Sequence, residues 1–469
     1  MLNPLSSMLI YWFVFGVVFG QTAPIGDPSG TNNYALYLLS GILPWGFFSL
    51  VTNLGLGSLL SNAGLVRKVY FAWETLVFSQ VIFSFVQFCI EMALLSVALI
   101  ILGSQVMLCL PVALLLMVVL AIYASGFALA LSVSAVFFRD LRYLWTIIIQ
   151  VLLGGITRLT GSGLSITEWK PILGAIPPMN EAAWQKAFEQ YKQIGQFKHL
   201  NFEFTLSDFK FIYFWEWFHR EWARLIALVF LIPFVYFLAK KMFRKEMVNP
   251  LIILFLLGAT QGLIGWIMVA SGLNDENLYV NHIRLAIHFM SALGLLVYTY
   301  WFAMLLLVPS TQHVVAPSLK KFTVGLLVLL VVQLVFGAFM AGLKAANFAT
   351  TWPTINGEWI PSSMANDGLA DFTHDPLAVH FIHRTLAYLM TALIIVWHLK
   401  AKKIVGGSLF AKLRSLPLLV VVLQVILGIL TVLFANNKTA LLWLGVAHQF
   451  TGMMFLLLMM TMVYLVRKK

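Results

Sequence analysis

Four histidines could do chemistry, because each lies near one end of a strongly apolar run. They are His219, His288, His383 and His448. Ionisable side chains at membrane depth are costly and tend to mark function. A lone histidine in such a place is commonly an interfacial anchor. Four at equivalent depth, two in each half of the region that contains them, indicate a ligand set instead.

Two histidines on facing helices of a four-helix bundle can clamp a planar metal cofactor. Haem is the obvious candidate, because the porphyrin fills the other positions on iron and two protein ligands suffice. Zinc fits worse, because each pair offers two histidines and no cysteine. The predicted pairs are His219 with His288 and His383 with His448.

Three arginines lie close to these histidines and could bind haem propionates. Arg220 and Arg384 each directly follow a histidine of the set, and Arg284 lies one turn before His288. A guanidinium can bind a carboxylate through two parallel hydrogen bonds. The alternative interpretation, arginines that extend to the outer interface, stays open for each.

The two pairs differ at one position. Glu216 lies three residues before His219 on the same helix face, whereas His380 lies three residues before His383. A carboxylate beside one pair predicts unlike roles, in which one site carries out chemistry and the other passes electrons. Glu216 could accept protons as a substrate is oxidised. The alternatives are a residue that orients His219, or an acid exposed in a loop.

Composition places the chain in the integral membrane class. Hydrophobic residues make up 61% of it and charged residues 10%. Runs such as residues 322–343 exceed the roughly 20 residues that a helix needs to cross a bilayer. They do not alternate as barrel strands would, so the spans are predicted to be helical. Cys89 and Cys109 lie inside apolar runs and are interpreted as small buried hydrophobic residues.

The sequence predicts about twelve transmembrane helices. Their rough centres are residues 14, 48, 87, 121, 149, 229, 260, 296, 332, 388, 425 and 453. Outside them, Asn180 is predicted to cap a short outer helix, and Thr205 to Asp208 to form a capping box at the next span.

Basic residues gather in the loops on one side of these spans, as the positive-inside rule expects. They are Arg67, Lys68, Arg139, Arg142, Lys240, Lys241, Arg244, Lys245, Lys320, Lys321, Lys400, Lys402, Lys403, Lys412, Arg414, Arg467, Lys468 and Lys469. The short loops opposite are neutral or acidic. This predicts a multi-pass protein of the bacterial inner membrane with both termini cytoplasmic. The net charge of +12 therefore indicates a membrane partner and no nucleic acid.

A short motif repeats through the C-terminal two thirds of the chain. Gln-x-x-x-Gly begins at residues 150, 261, 333 and 424, and a helix with one of the four histidines follows each copy. Two tandem four-helix halves, at about 150–321 and 322–469, would explain this register. The predicted fold is thus an all-α polytopic membrane protein that contains a tandem repeat of two four-helix bundles.

From Gly154 onward the chain resembles haem A synthase. The stretches that carry the resemblance are "GGITRLTGSGLSITEWKPILGAIPP" (154–178), "WEWFHR" (215–220), "RLAIHF" (284–289), "TWPTINGEWIP" (351–361), "HFIHRTLAYL" (380–389) and "AHQFTG" (447–452). They occur in the family's order over about two thirds of the chain.

The resemblance implies oxidation of the ring methyl of haem O to a formyl group, which gives haem A for terminal oxidase assembly. It implies hydroxylation of the methyl, loss of water, and electrons that leave through a second haem. By family pattern, His219, His288 and Glu216 line the substrate site, while His383 and His448 bind a permanent haem b. A haem O synthase would supply the substrate. The oxygen donor, the electron acceptor and homo-oligomerisation stay open.

Residues 1 to about 150 resemble something else, the permease subunit of an ABC exporter for polysaccharide or teichoic acid. The stretches are "ILPWGFFSL" (42–50), "NAGLVRKVYF" (62–71) and "VFFRDLRYL" (136–144). The resemblance implies a truncated permease, since its lead segment and last span are missing, and an ABC ATPase as partner. The chain has no Gly-rich Lys-Ser/Thr phosphate loop of its own. The predicted domains are residues 1–150 and 151–469, with a hybrid helix at 142–157.

Two other functions stay open. A di-haem electron carrier of the b type would need the four histidines but not Glu216. A polysaccharide-export permease component with an inactive fused tail would instead use the N-terminal segment. Glu91 in that segment is interpreted as a helix–helix hydrogen-bonder rather than a transport residue.

Overall fold

Helices make up nearly all of the fold. The computed structural model describes residues 2–18, 20, 23, 33–66, 68–104, 109–137, 141–170, 173–275, 277–364, 368 and 370–467. Among the basic loop residues above, Arg67, Arg139, Lys468 and Lys469 lie outside this set. The chain divides into two compact units, Met1–Arg142 and Tyr143–Lys469.

The N-terminal unit is a bundle of apolar helices. They are α1 (Leu2–Tyr11, continued by a π-helix at Trp12–Val18), α2 (Tyr34–Ser61), α3 (Ala63–Val66), α4 (Glu74–Ile101) and α5 (Leu110–Phe137). The ring of Phe47 on α2 stacks on Phe88 of α4, with centres 4.8 Å apart. A methyl group at Gly55 would lie 2.6 Å from Cβ of Ala128, so this glycine lets α2 and α5 approach closely.

The second unit contains all the candidate site residues. Its helices are α6 (Leu141–Leu159), α7 (Glu181–Tyr191), α8 (Gly195–Leu200), α9 (Leu206–Ala239), α10 (Lys245–Ala270), α11 (His282–Leu307), α12 (Pro317–Gly342), α13 (Asp371–His374), α14 (Pro376–Lys402), α15 (Ser408–Leu413), α16 (Leu416–Leu433) and α17 (Lys438–Leu465). Short 3₁₀ turns lie at Leu173–Ala175, Ser310–Gln312 and Ala345–Asn347. The helix α10 packs on α9 and α11, α12 packs on α11, α14 and α17, and α16 packs on α14 and α17.

Ten helices in the described part of the chain are long and apolar enough to cross a membrane. Two further apolar helices, Met8–Val18 and Thr146–Leu159, are shorter. Every predicted centre falls on one of these twelve helices, but two of them do not reach a spanning length among the described residues. The chain is therefore an all-α polytopic membrane protein.

Each helix that carries a candidate histidine begins with a side-chain cap. The predicted capping box of Thr205 and Asp208 opens α9, and the side chains of Asn281, Asp375 and Asn437 accept from backbone N–H groups of α11, α14 and α17. Asn180 caps α7, as predicted. Capping satisfies donors that a helix start leaves unpaired, and so fixes where each of these helices begins.

A small parallel strand pair was not predicted. Strand β1 (Val314–Val315) pairs with β2 (Val466–Arg467), next to the ends of α11 and α17. The Tyr464 hydroxyl donates to the carbonyl of Val308 at 3.0 Å and joins the same two chain segments. Two-residue strands have no periodicity that a sequence pattern could reveal.

Candidate functional site

His383 on α14 and His448 on α17 face each other. Their ring centres lie 6.4 Å apart, with ring planes at 73°. With metal–nitrogen bonds of about 2 Å, two imidazoles on one metal atom have ring centres about 6 Å apart. Among the described residues, no group of three or more His, Cys, Asp or Glu could hold a metal ion. Two facing imidazoles at this spacing fit a metal whose other ligands come from a macrocycle, as in haem.

The second predicted pair consists of His219 on α9 and His288 on α11, and both side chains are half-buried. The pairing of these two histidines stays a prediction.

Each of the four imidazoles packs against a glycine of a neighbouring helix. Methyl groups built at Gly154, Gly265, Gly337 and Gly428 would lie 2.8 to 3.2 Å from Cε1 of His219, His288, His383 and His448 respectively. Side-chain carbons rarely approach that closely, so a larger residue at any of the four positions would push against the imidazole ring. These are the last residues of the four Gln-x-x-x-Gly motifs, and each motif therefore seats one histidine.

The glutamines of three motifs also contact a histidine. Nε2 of Gln261 lies 3.1 Å from Nδ1 of His288, and Nε2 of Gln333 lies 3.2 Å from Nδ1 of His383. Nε2 of Gln424 lies 3.3 Å from Nε2 of His448. In the fourth motif, Oε1 of Gln150 is buried and has no hydrogen-bond partner among the described residues.

Glu216 lies one turn before His219 and is almost fully buried, at 2% exposure. Its Oε2 accepts from the Ser165 hydroxyl at 2.7 Å and from the Ile166 N–H at 2.8 Å. Its Oε1 accepts from Nη2 of Arg220 at 2.5 Å. An exposed loop acid is thereby excluded, and the carboxylate is oriented by three donors.

Comparison with known proteins covers this same region. The cytochrome oxidase assembly protein family matches residues 141–460. The haem A synthase of Flavobacterium psychrophilum is 41% identical over 323 residues, which are 67% of this chain and 92% of that protein. The haem A synthase of Paracoccus denitrificans is 41% identical over 65% of this chain and 82% of its own length. That of Rhodopseudomonas palustris is 41% identical over 66% and 85%.

The chain belongs to the haem A synthase family. All four histidines and Glu216 lie inside the matched range. Because relatives in this family are haem A synthases, the question is whether the site residues fit a haem. The facing rings of His383 and His448 and the four glycine seats fit a macrocycle held by imidazoles.

The three arginines expected near the haem have different partners in this synthase-like unit. Arg220 donates to Glu216 and, at 3.3 Å, to the Ile166 carbonyl. Nη1 of Arg284, which is exposed, donates to the Ile267 carbonyl at 3.1 Å. Arg384 is held by a loop and by His380, as described next.

A loop of the second half surrounds Arg384. Its Nη1 donates to the carbonyls of Pro353 and Thr354, and its Nη2 donates to that of Thr351, all at 3.0 Å. Nη2 also lies 3.0 Å from Nε2 of His380, which is 2% exposed. The loop belongs to the "TWPTINGEWIP" stretch, so this family motif positions an arginine one residue after a candidate ligand.

Sequence reasoning missed two contacts that join distant parts of the family region. Nη2 of Arg158 on α6 donates to the carbonyls of Ala341 and Gly342, at the end of α12. Nε2 of Gln449, next to His448, donates to the carbonyl of Val151 on α6 at 2.9 Å. Arg158 and Gln449 both lie in the quoted motifs. Their acceptors are main-chain carbonyls, which every residue has, so no sequence pattern identifies them.

The segment between α6 and α9, of which residues 160–170 and 173–205 are described, supplies Ser165 and Ile166. Hydrogen bonds from Lys170 and then from Gln190 hold the pKa of the Glu168 carboxyl below its ordinary value. Burial raises the pKa of the Tyr191 hydroxyl to about 12, and this hydroxyl donates to Oε1 of Gln196 at 3.0 Å. Sequence patterns predicted the helix here but not these contacts.

Proposed function

We propose that the chain is a haem A synthase, which oxidises the ring methyl of haem O to the formyl group of haem A. The facing imidazoles of His383 and His448, 6.4 Å apart, carry the proposal within this family. Two such rings would hold a macrocycle between them, with its iron bound by both imidazoles. The activity is a membrane-bound, haem-modifying oxidation.

The two histidine pairs have different occupants in this proposal. His219 and His288 hold the substrate, haem O, whereas His383 and His448 hold a resident haem b. The position of Glu216 supports this division. This carboxylate, which pairs with Arg220, lies three residues before His219, whereas His380 takes the corresponding position before His383. Bound haem b supplies a redox-active iron that can accept electrons from the substrate site.

Glu216 accepts protons in this reaction. Oxidation of a methyl to a formyl group with water as the oxygen source releases protons and electrons in equal number. A carboxylate has about four lone-pair positions, and three donors contact Glu216, so one position remains for an incoming proton. Ser165, Ile166 and Arg220 orient it. Arg284, which is exposed, binds a propionate, whereas the Nη groups of Arg384 are already bonded to carbonyls and to His380.

The protein lies in the bacterial inner membrane with both termini cytoplasmic, since basic residues collect in the loops on that side. A haem O synthase supplies the substrate, and an electron acceptor in or at the membrane takes the electrons. Whether the chain forms a homo-oligomer is decided by its size in detergent.

The N-terminal unit is a permease-like segment that takes no part in the oxidation. The quoted motifs of residues 42–50, 62–71 and 136–144 support its origin. Nε2 of Gln87 donates to Oε1 of Glu91 at 2.9 Å, a bond within α4 rather than the predicted bond between helices, and it supports a structural role for this acid. Removing residues 1–140 tests the segment: haem A formation should persist, and no dependence on an ABC ATPase should appear.

The decisive experiment is extraction and chromatography of haems from cells that express this chain with a source of haem O. A haem A peak is expected. A chain that purifies with haem b but never yields haem A is a di-haem electron carrier instead. A chain without any haem would contradict both functions.

A further inference from the structure

Haem propionates need more cations than the arginines beside the histidines supply. Arg220 pairs with Glu216, and the Nη groups of Arg384 bond to carbonyls and to His380. Of the three arginines that the sequence places near haem, this leaves the exposed Arg284. Two haems together carry more propionates than one arginine can bind, so other cations of the described residues have to be considered.

Two further cations approach a single aromatic ring. The guanidinium carbon of Arg158 lies 5.6 Å from the ring centre of Tyr279, and Nζ of Lys344 lies 3.9 Å from the same centre. All three residues are half-buried. Neither cation takes part in an ion pair among the described residues. The face of a ring attracts a cation but has no net charge, so two partly buried cations still need an anion.

The guanidinium of Arg158 has a donor without an acceptor. Its Nη2 donates to the carbonyls of Ala341 and Gly342, at 2.6 Å and 3.0 Å. Its Nε is buried and has no hydrogen-bond partner among the described residues. Buried polar groups are rarely left unpaired, and a carboxylate is the strongest acceptor that a guanidinium N–H meets in proteins. The free Nε–H therefore points to an anion of this kind.

Arg158 lies one helical turn beyond the glycines that contact the imidazoles. It follows Gly154 by four residues on α6, and its acceptor Ala341 follows Gly337 by four residues on α12. These two glycines lie against one imidazole of each predicted pair. Four residues of α-helix rise about 6 Å. The propionates of a haem extend from one edge of the ring, away from the iron, so a carboxylate is expected at the height of Arg158.

Elements from both predicted halves surround this position. Arg158 lies at the end of α6 and Tyr279 precedes α11, both in the first half, whereas Lys344 follows α12 in the second. The glycines of α6 and α12 contact different histidine pairs. The carboxylate can therefore belong to haem b or to haem O, and the experiment needs one arm for each.

We propose that Arg158 and Lys344 form a carboxylate-binding site, and that its ligand is a haem propionate. Arg158 binds the carboxylate through its Nε–H, and Lys344 adds a second positive charge beside the same tyrosine ring. The inference rests on the proposed function, in which the chain holds haem b and haem O.

The experiment compares each haem with its dimethyl ester, in which both propionates are uncharged. Full-length protein from haem-depleted cells is titrated with haem b and with haem b dimethyl ester. Protein that already holds haem b is titrated with haem O and with haem O dimethyl ester. Hydrogen bonds to charged groups change affinity by about 10-fold or more, so at least one haem should bind about 10-fold more tightly than its ester.

Two variants and a matched control locate this preference for the acid. Arg158→Gln removes the charge and keeps an amide donor, and Lys344→Gln removes the second charge, so both should reduce the preference. Lys192→Gln is the control, because Nζ of Lys192 also lies 4.5 Å from a ring centre, that of Phe188, but pairs with Glu189 at 2.7 Å. It should keep the full preference for the acid.

A reduced preference with haem b assigns the carboxylate to the resident haem, and one with haem O assigns it to the substrate. An equal loss of affinity for acid and ester would overturn the proposal, because Arg158 would then only hold α6 against α12. So would an unchanged preference in Lys344→Gln, which is the deciding variant if Arg158→Gln does not fold. A chain that shows the expected preferences but forms no haem A would contradict the proposed function and still support this site.

Discussion

Two polar clusters occupy matching positions in the family region but differ in charge. The carboxylate cluster consists of Ser165, Ile166, Glu216 and Arg220, and the imidazole cluster consists of His380, Arg384 and the carbonyls of residues 351–354. In both, an arginine directly follows a candidate ligand and contacts the side chain four residues before it. In the first cluster that side chain is an acid, and in the second it is an imidazole.

The difference assigns unlike chemistry to two similar sites. Arg220 forms an ion pair with Glu216, so the carboxylate cluster combines a cation with an acid, the residue that we propose as the proton acceptor. Arg384 contacts carbonyls and His380, and no carboxylate pairs with it among the described residues. A site that must take up protons needs the acid, whereas a site that passes electrons does not.

The largest expected effect separates the two histidine pairs. His383→Ala removes one of the two facing imidazoles that we propose as haem b ligands, so the purified protein should contain no haem b. His219→Ala should retain haem b and fail to convert haem O. Pyridine haemochrome spectra measure the first result and haem chromatography the second. The division of roles is wrong if His219→Ala empties the protein while His383→Ala does not.

Replacing the acid should have the next largest effect. Glu216→Gln keeps the shape of the side chain and removes its negative charge, so haem A formation should fall about 100-fold or more. Retained haem b should stay at the level of the unmodified chain. Haem chromatography measures the haem A formed, and the haem b content of the purified protein measures the retained haem b. Unchanged conversion of haem O would remove Glu216 from the chemistry and favour the electron carrier.

Sequence patterns predicted the elements of the site better than its contacts. The glycine of each motif could be predicted from the sequence repeat. The structure gives the reason, because each of these glycines lies against the imidazole ring of one candidate histidine. Arg220 was predicted to bind a haem propionate, but it pairs with Glu216. This is an (i, i+4) contact on one helix, so the spacing in the sequence could have predicted it. Ser165 lies 51 positions from Glu216 and Arg384 binds main-chain carbonyls, so no local pattern identifies these partners.

Substituting the glycines that lie against the imidazoles should have a smaller effect on haem binding, and its size should depend on how close the added methyl comes to the ring. A methyl at Gly265 would lie 2.8 Å from His288, whereas one at Gly337 would lie 3.2 Å from His383. Overpacking costs about 1–3 kcal/mol, so Gly265→Ala should weaken substrate binding by roughly 10-fold or more. Gly337→Ala should reduce haem b retention less.

Gly258→Ala is the control on the same helix as Gly265, because nothing lies within 4 Å of its added methyl. It should stabilise α10 by about 1 kcal/mol and leave haem binding alone. Titration of each purified variant with haem gives the haem affinities, which can then be ranked. Equal losses at Gly258 and Gly265 would mean that helix packing, not the imidazole, sets the effect.

The smallest effect concerns the support of the acid. Ser165→Ala removes one of three donors to Glu216, and a hydrogen bond to a charged group is worth about 1.5–3 kcal/mol. The Ile166 N–H and Arg220 remain, so haem A formation should fall only about 10-fold. Thr354→Ala is the matched variant in the imidazole cluster, and it keeps the carbonyl oxygen that Arg384 binds. It should therefore change haem A formation less than Ser165→Ala does. The reverse order would show that the second cluster, despite its lack of an acid, limits the reaction.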